Sequence, residues 1–408
     1  MKPRPPYVFL AAEGFPPTVY DSQVAGFLRV LARAGVSMDL LNFDPLYPKT
    51  LATRSGRERK ERLQHALPGR LHVLPYVPFE DRVGAPAARR LLRSALGDGP
   101  WVIHARGLKA GYLAADLKQR RRDVALVYDM RGDDWAEHCF HHTGQGRGDA
   151  PGLSRIQAHE ARVCAAADRV LTVSQALADT VAGRYPGVAE RTRVFPCAYD
   201  PAAFSLDPAA RTRWRRELGF DDRFVWVYCG SLVPYQLPQR LVALGRVARA
   251  AQSDAHLLLV TPHVERAHAL CAEAGLGADA VTIRAAAHDE VGGLLNAGDA
   301  GVLLRADDPV NHAASPTKVA EYLACGLPVL ISEGIGDHSA RIREHGLGHV
   351  LTGLDDAALT AGVQALREAL PARAVVAEHA QRELSRAVFL PRYVELYRSV
   401  LDEVRQRG

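Results

Sequence analysis

The sequence predicts an α/β protein made of two Rossmann-like parallel-sheet domains facing a central cleft, with a C-terminal helix packing back on the first domain. Three observations lead there. Apolar strand-like runs alternate with amphipathic stretches from end to end, the pattern of parallel α/β sheets. The alternation breaks at CAYDPAAFSLDPAA, a segment rich in turn formers, and then restarts. The final stretch, LPRYVELYRSVLDEVR, reads as helix.

In the first half the strands are YVFLA near Tyr7, SMDLLNF near Leu40, RLHVLPY near Val73, WVIHA near Val102, VALVYD near Val127, RVLTVS near Leu171 and RVFPCA near Val194. Between them lie helical stretches such as SQVAGFLRVLARAG, where Val24, Phe27, Leu28, Leu31 and Ala34 share one face. FVWVYCG, HLLLVTP, AVTIRA, AGVLLRA and PVLIS are the strands of the second unit. The join falls near residues 200–210, giving an N-terminal domain over 1–203, a second over 204–385 and a crossover helix over 386–408.

A chain of 408 residues, 48% hydrophobic and 24% charged, has enough apolar surface for two cores and excludes disorder. No apolar run approaches the roughly 18 residues of a membrane span, and VFLAA is ended by Glu13, so a cytoplasmic location is expected. Six scattered cysteines without C-x-x-C spacing read as reduced, buried thiols. The net charge of +5 is modest, with basic clusters at Arg54, Arg57, Arg59, Lys60 and Arg62, at Arg89, Arg90 and Arg93, and at Lys118 to Arg122. Such clusters more often solvate helix faces. Peripheral contact with an anionic membrane is the lesser expectation, and nucleic acid is not expected, because no aromatic residues are interleaved as stacking platforms.

Ligands of open parallel sheets sit beyond the carboxyl ends of the strands. The residues there are Glu13 with Gly14, His104 with Arg106, and Asp129 to Gly132 in the first unit; in the second they are Gly230 with Ser231, Thr261 with Pro262, Arg284, Arg305 and the loop ending at Ser315. The sharpest local chemistry follows that loop. Ser315 as N-cap, Pro316 at the first helical position and Gly326 after the end bound a helix from Pro316 to about Cys325. Its first turn offers unpaired amides and the positive end of the helix dipole, which suit a phosphate. Lys318, the one lysine after Lys118, sits in that turn, where an anion would offset its unfavourable position. Glu321 shares its face and could accept both hydroxyls of a ribose; a surface ion pair between Lys318 and Glu321 is the alternative on pattern alone.

The run SPTKVAEYLACGLPV resembles the P-T-K-x-x-E-Y-L-A-x-G-x-P-V signature of GT-B glycosyltransferases of the retaining, glycogen-synthase-like family 4. YCGSLVPYQ and ADRVLTVSQALAD resemble two further segments of that family. WVIHARG with VYDMRGDDWAE resembles a bacterial subgroup acting in surface-polysaccharide assembly. The resemblance implies that Glu321 binds the donor ribose and that the amides of Thr317 and Lys318 hold the diphosphate. It further implies that Gly230 allows close approach, beside Ser231, and that Thr261 and Arg284 flank the base. His104 and Asp129 to Arg131 would face the transferred sugar and acceptor, making His104, Asp129, Arg131 and Lys318 the catalytic set. The first domain would bind acceptor and the second a nucleotide-sugar donor, a UDP-sugar first of all. The acceptor would be a glycan or lipid-linked, and neither metal nor cofactor would be needed. Departures are Ala313 in place of a first glutamate, and Ser231 and Gln236 in place of an arginine and a lysine. Lys318 and Arg305 are expected to compensate. Alternatives are a nucleotide-sugar epimerase or hydrolase on the same fold, or a catalytically degenerate partner of another glycosyltransferase.

Two other signals are set aside. GLGADA at Gly275 precedes a strand, so it is not a dinucleotide loop. His138, Cys139, His141 and His142 fit no zinc spacing; they follow DMRGDDWAE in an expected mobile loop that could contact acceptor.

Overall fold

The computed structural model describes residues 5–13, 20–76 and 84–407; Gly14 lies outside them. Internal contacts divide the chain into one unit of residues up to Phe195 together with those from Phe389 onward, and a second unit, Pro196–Val388.

The first unit contains strands β1 (Tyr7–Ala11), β2 (Asp39–Asp44), β3 (Leu71–Pro75), β4 (Trp101–Arg106), β5 (Val124–Asp129), β6 (Arg169–Thr172) and β7 (Thr192–Val194). All pair in parallel, in the order β3-β2-β1-β4-β5-β6-β7. Every residue of β1, β4 and β5 is buried, as expected for strands covered on both faces. The strand order reverses between β1 and β4, which sets a ligand crevice beyond Ala11 and Arg106. The helix Arg386–Gln406 returns to this unit from Phe389 onward and buries Phe389, Leu396, Tyr397, Val400, Leu401 and Val404 along one stripe. Tyr397 packs edge-on against Tyr7 at 6.2 Å, Tyr393 stacks on Phe195 at 3.9 Å, and Arg407 pairs with Asp168 at 2.8 Å.

The second unit contains β8 (Phe224–Cys229), β9 (Ala255–Val260), β10 (Val281–Arg284), β11 (Ala300–Leu303), β12 (Val329–Ser332) and β13 (Gly348–Leu351), in the order β10-β9-β8-β11-β12-β13. Alternation along β8 splits its side chains between two cores. Val225 and Val227 pack with Val319, Tyr322 and Leu323, whereas Phe224, Trp226 and Tyr228 pack with Leu241, Leu244 and Leu270 on the other face. Here the order reverses between β8 and β11, just beyond which stand Gly230 and Arg305.

All seven strands expected in the first unit are present. The sixth strand of the second, β13, is not predicted by the sequence: GHVL is four residues long, half-buried and closely preceded by the turn glycine Gly346, so its periodicity is too weak to read. The segment carrying His138, Cys139, His141 and His142 is a helix, Asp134–Thr143, and not a loop. Asp133 caps it by accepting from the amides of Trp135 and Ala136, and binds Arg184 through both carboxylate oxygens at 2.9 and 2.6 Å. No helix among the described residues is long and apolar enough to cross a membrane.

Candidate functional site

The helix marked by SPTKVAEYLACG runs over Thr317–Ala324, one residue later than the caps imply, with Pro316 as N-cap. Ser315 does not cap it. Its hydroxyl accepts from the Cys197 amide at 3.1 Å and lies 3.5 Å from His338 Nε2. The amides of Thr317 and Lys318 therefore keep no partner among the described residues, and they lie at the positive end of the helix, where such donors suit an anion.

Lys318 rises from this turn over Gly230. Its Nζ lies 5.2 Å from the centre of the Tyr228 ring, and a Cβ built on Gly230 would stand 2.3 Å from its Cε. Gly230 has φ +148°, a conformation that L side chains rarely adopt. Arg305, just beyond β11, is 8% exposed. Its amide donates to Ser332 Oγ at 2.8 Å, its Nη1 donates to Asn311 Oδ1 at 3.3 Å, and its guanidinium lies 5.5 Å from the Tyr235 ring. The buried Nε of Arg305 has no hydrogen-bond partner among the described residues. Between the two cations stands Gln236, 3% exposed. With its side-chain oxygen turned toward them, it accepts from Arg305 Nη2 and from Lys318 Nζ, each at 3.3 Å. Neither cation forms an ion pair with a carboxylate among the described residues.

Burial and the nearby Arg305 charge lower the Lys318 ammonium to about 8. The carboxylate of Glu321, one turn along the helix, makes no hydrogen bond among the described residues, and burial raises it to about 7 against the opposing pull of Lys318 and Arg386. Thr261, just after β9, donates its amide to the Arg284 carbonyl and accepts from the His263 amide at 3.1 Å; His263 Nδ1 in turn accepts from the Leu232 amide at 3.0 Å. This chain ties the loop containing Ser231 to β9. The Arg284 guanidinium lies over Trp214 at 4.9 Å, with Glu217 and Glu290 at 3.9 and 3.8 Å.

In the first unit a second polar cluster occupies the strand ends. The register sets His104 beside Phe9 and Arg106 beside Asp129. His104 Nε2 is 3.2 Å from Asp129 Oδ2, its Nδ1 is 2.8 Å from the Tyr397 hydroxyl, and Phe9 stacks on the ring at 4.6 Å. Asp129 accepts from Arg131 at 3.3 Å. Burial works to raise this carboxyl, but Arg131, His104 and Arg106 outweigh it and hold the group ionised. Arg106 donates to Glu13 at 2.7 Å and shares Gln23 Oε1 with Arg131.

Residues 21–198 match the family model described as glycosyl transferase 4-like domain. The D-inositol 3-phosphate glycosyltransferase of Acidothermus cellulolyticus is 26% identical over 361 residues, covering 83% of this chain and 75% of the relative. Anabaena HepE, solved in complex with UDP, superposes with a TM-score of 0.72 at 18% identity, over 96% of this chain and all of its own. Sucrose-phosphate synthase from Thermosynechococcus elongatus gives 0.71 at 19% identity, over 97% of this chain and all of its own. The chain is a glycosyltransferase with the GT-B fold.

In this glycosyltransferase Gly230, Arg305, Lys318 and Glu321 gather at the switch point of the second sheet, while the Arg284 side chain turns to Trp214. Gln236, Asn311, Tyr228 and Tyr235 complete the cradle without having been singled out as ligands. Tyr228 lies within β8, and the other three stand in the connections that follow β8 and β11, where no local pattern marks them. Tyr397 was equally unread: it reaches His104 across 293 residues of sequence.

Two outcomes test these contacts. His104 Nε2 faces the Asp129 carboxylate and Nδ1 pairs with the Tyr397 hydroxyl. Tyr397→Phe should orphan that nitrogen and cost about 1–3 kcal/mol in a denaturation experiment. Gly230→Ala should cost about 1–3 kcal/mol from backbone strain, and should weaken nucleotide binding because its methyl displaces the Lys318 ammonium.

Proposed function

We propose that this glycosyltransferase is a retaining enzyme that moves a hexose-type sugar from UDP to a glycan or lipid-linked acceptor in the assembly of a bacterial surface polysaccharide. The observation that carries the donor side is the pair Arg305 and Lys318, two cations joined by a neutral acceptor and forming no ion pair among the described residues, beside two helix amides without a partner there. Such a group of donors is matched by a diphosphate. The reading also draws on the UDP and UDP-glucose complexes of Anabaena HepE, and the choice of acceptor class on the likeness of WVIHARG and VYDMRGDDWAE.

In this reading the Thr317 and Lys318 amides, the Lys318 ammonium and Arg305 bind the diphosphate, and Ser315 sets the loop that presents them. Glu321 accepts from the ribose hydroxyls. Gly230 and Ser231 let the main chain approach, and the Thr261 and Arg284 main chains border the base. Arg131, partly exposed, contacts the transferred sugar or acceptor, held by Asp129 and by His104 behind it. The bond from the sugar's anomeric carbon to the diphosphate oxygen breaks as the acceptor oxygen bonds to the same face. The acceptor's proton passes to the departing phosphate, whose charge Lys318 and Arg305 stabilise; these side chains do the work a metal does elsewhere, and no cofactor enters.

A thermal-shift screen of UDP, GDP, ADP and their sugars tests the donor. UDP at a hundred times its Kd should stabilise the protein by about 2.7 kcal/mol; no stabilisation by any nucleotide would sink the reading. Arg305→Ala should weaken UDP binding by about tenfold or more, and unchanged donor affinity and turnover would remove Arg305 from the site. Isomerised or hydrolysed donor in the absence of acceptor would point instead to an epimerase or hydrolase.

A further inference from the structure

Gln236 stands where the resembled family carries a lysine, and in the sequence it reads as a lost charge. Its surroundings assign it a different task. A buried amide has to use its polar atoms, and the acceptor atom of Gln236 meets two cations at once, Arg305 Nη2 and Lys318 Nζ. The backbone is shaped to deliver it there. Pro234–Gln236 form a single 3-10 turn that ends at Leu237, whose φ of +47° makes it the one non-glycine residue with positive φ among the described residues, and Pro238 then opens the next helix. A leucine in the left-handed region persists only where its surroundings hold it.

The chemistry of an amide suits this position better than its alternatives. A lysine would add a third cation and no acceptor. A carboxylate would satisfy both cations but cancel one of the two charges that an anion has to meet. An apolar side chain would leave two like charges facing each other without a bridge. The amide oxygen accepts from both and carries no net charge.

We infer that Gln236 is a positioning residue that clamps Arg305 and Lys318 into one two-cation unit, so that the donor's diphosphate is met by a bridged pair instead of by separate cations. This rests on the reading of the site as the diphosphate holder. It assigns a purpose to the departure from the family pattern: the neutral side chain is what lets Arg305 take over from the missing lysine.

The test separates the clamp from the donor reading by two measurements on the full chain. The first is titration of Lys318 by NMR with 13C-labelled lysine. The chain has six lysines, and the signal is identified by its loss in Lys318→Arg. Gln236→Leu should lower the Lys318 midpoint, because the acceptor is gone while Arg305 remains. Gln236→Glu, of nearly the same size and so least disruptive to folding, should raise it. The second is UDP affinity by calorimetry, expected to fall about tenfold in Gln236→Leu at pH 7.5, and to fall in Gln236→Glu with recovery as the new carboxylate is protonated. Lys318 midpoints that stay at the wild-type value in both variants, or UDP affinity within twofold of wild type in Gln236→Leu, overturn the clamp even if the donor reading stands. Shifted midpoints in a protein that binds no nucleotide would leave the bridge in place, but would overturn both the donor reading and the role inferred for Gln236.

Discussion

Lys318→Ala is expected to lower kcat/KM by about tenfold to a hundredfold, the equivalent of about 1.5–3 kcal/mol for a charged hydrogen bond removed from a buried anion. The loss should fall mainly on kcat. Negative charge on the leaving diphosphate grows as the glycosidic bond breaks, so a cation aimed at it is worth more in the transition state than in the bound donor. The same variant should fold at least as well as the parent. In the unliganded protein burial and Arg305 depress the Lys318 pKa to about 8, below its ordinary value of 10.5. The unfolded chain therefore binds this proton more tightly, and the folded state gains stability as pH rises from about 8 toward the unfolded value. A Lys318→Ala protein that melts well below wild type would show instead that the ammonium is structural.

Glu321→Ala should produce a loss of similar size, about tenfold to a hundredfold, but distributed differently. The ribose hydroxyls are the same in the bound donor and in the transition state, so the effect should appear in KM and in UDP affinity with kcat little changed. Steady-state kinetics on both variants would distinguish the roles, and equal effects on kcat would contradict the ribose assignment. The two groups also set a pH dependence. Glu321 must be ionised to accept, and burial raises it to about 7; Lys318 must be protonated to donate, and it is lowered to about 8. UDP affinity should rise through pH 7 and fall above about pH 8. The sign for stability is opposite at Glu321: its raised pKa favours the unliganded fold below the unfolded value of 4.5, and that contribution fades as pH rises through about 7. Both residues thus cost the empty protein stability near neutrality, a common price of a charged site built in a dry cradle.

The placement of these groups follows from the sheet. Arg305 and Gly230 come together because the strand order of the second unit reverses between β8 and β11, and Glu13 and Arg106 lie at the matching reversal in the first. The Thr261, His263 and Leu232 chain then fixes the loop after β8, and the left-handed turn at Leu237 directs Gln236 back toward Arg305 and Lys318.

Much of this was legible in residue order alone. Alternating apolar runs identified the α/β class and seven strands of the first sheet, because a strand buried on both faces is written as a continuous apolar segment. Pro316 and Gly326 bounded a helix whose start was right to within one residue, because proline and glycine act locally. Lys318 and Glu321 were marked by their spacing on that helix. What depended on distance through space was not legible. The Ser315 hydroxyl belongs to Cys197 and not to the helix, since a capping residue and a loop anchor look alike in sequence. The Arg284 side chain turns to Trp214, drawn by a ring and two carboxylates from other helices. Gln236 read as an absence of charge, and only the approach of Arg305 and Lys318 to one buried oxygen made it an acceptor shared by both. Local rules fix elements because a few neighbouring residues determine backbone geometry. The site was decided by tertiary structure because its hydrogen bonds join residues from separate strands, and satisfying them is a property of the packed sheet.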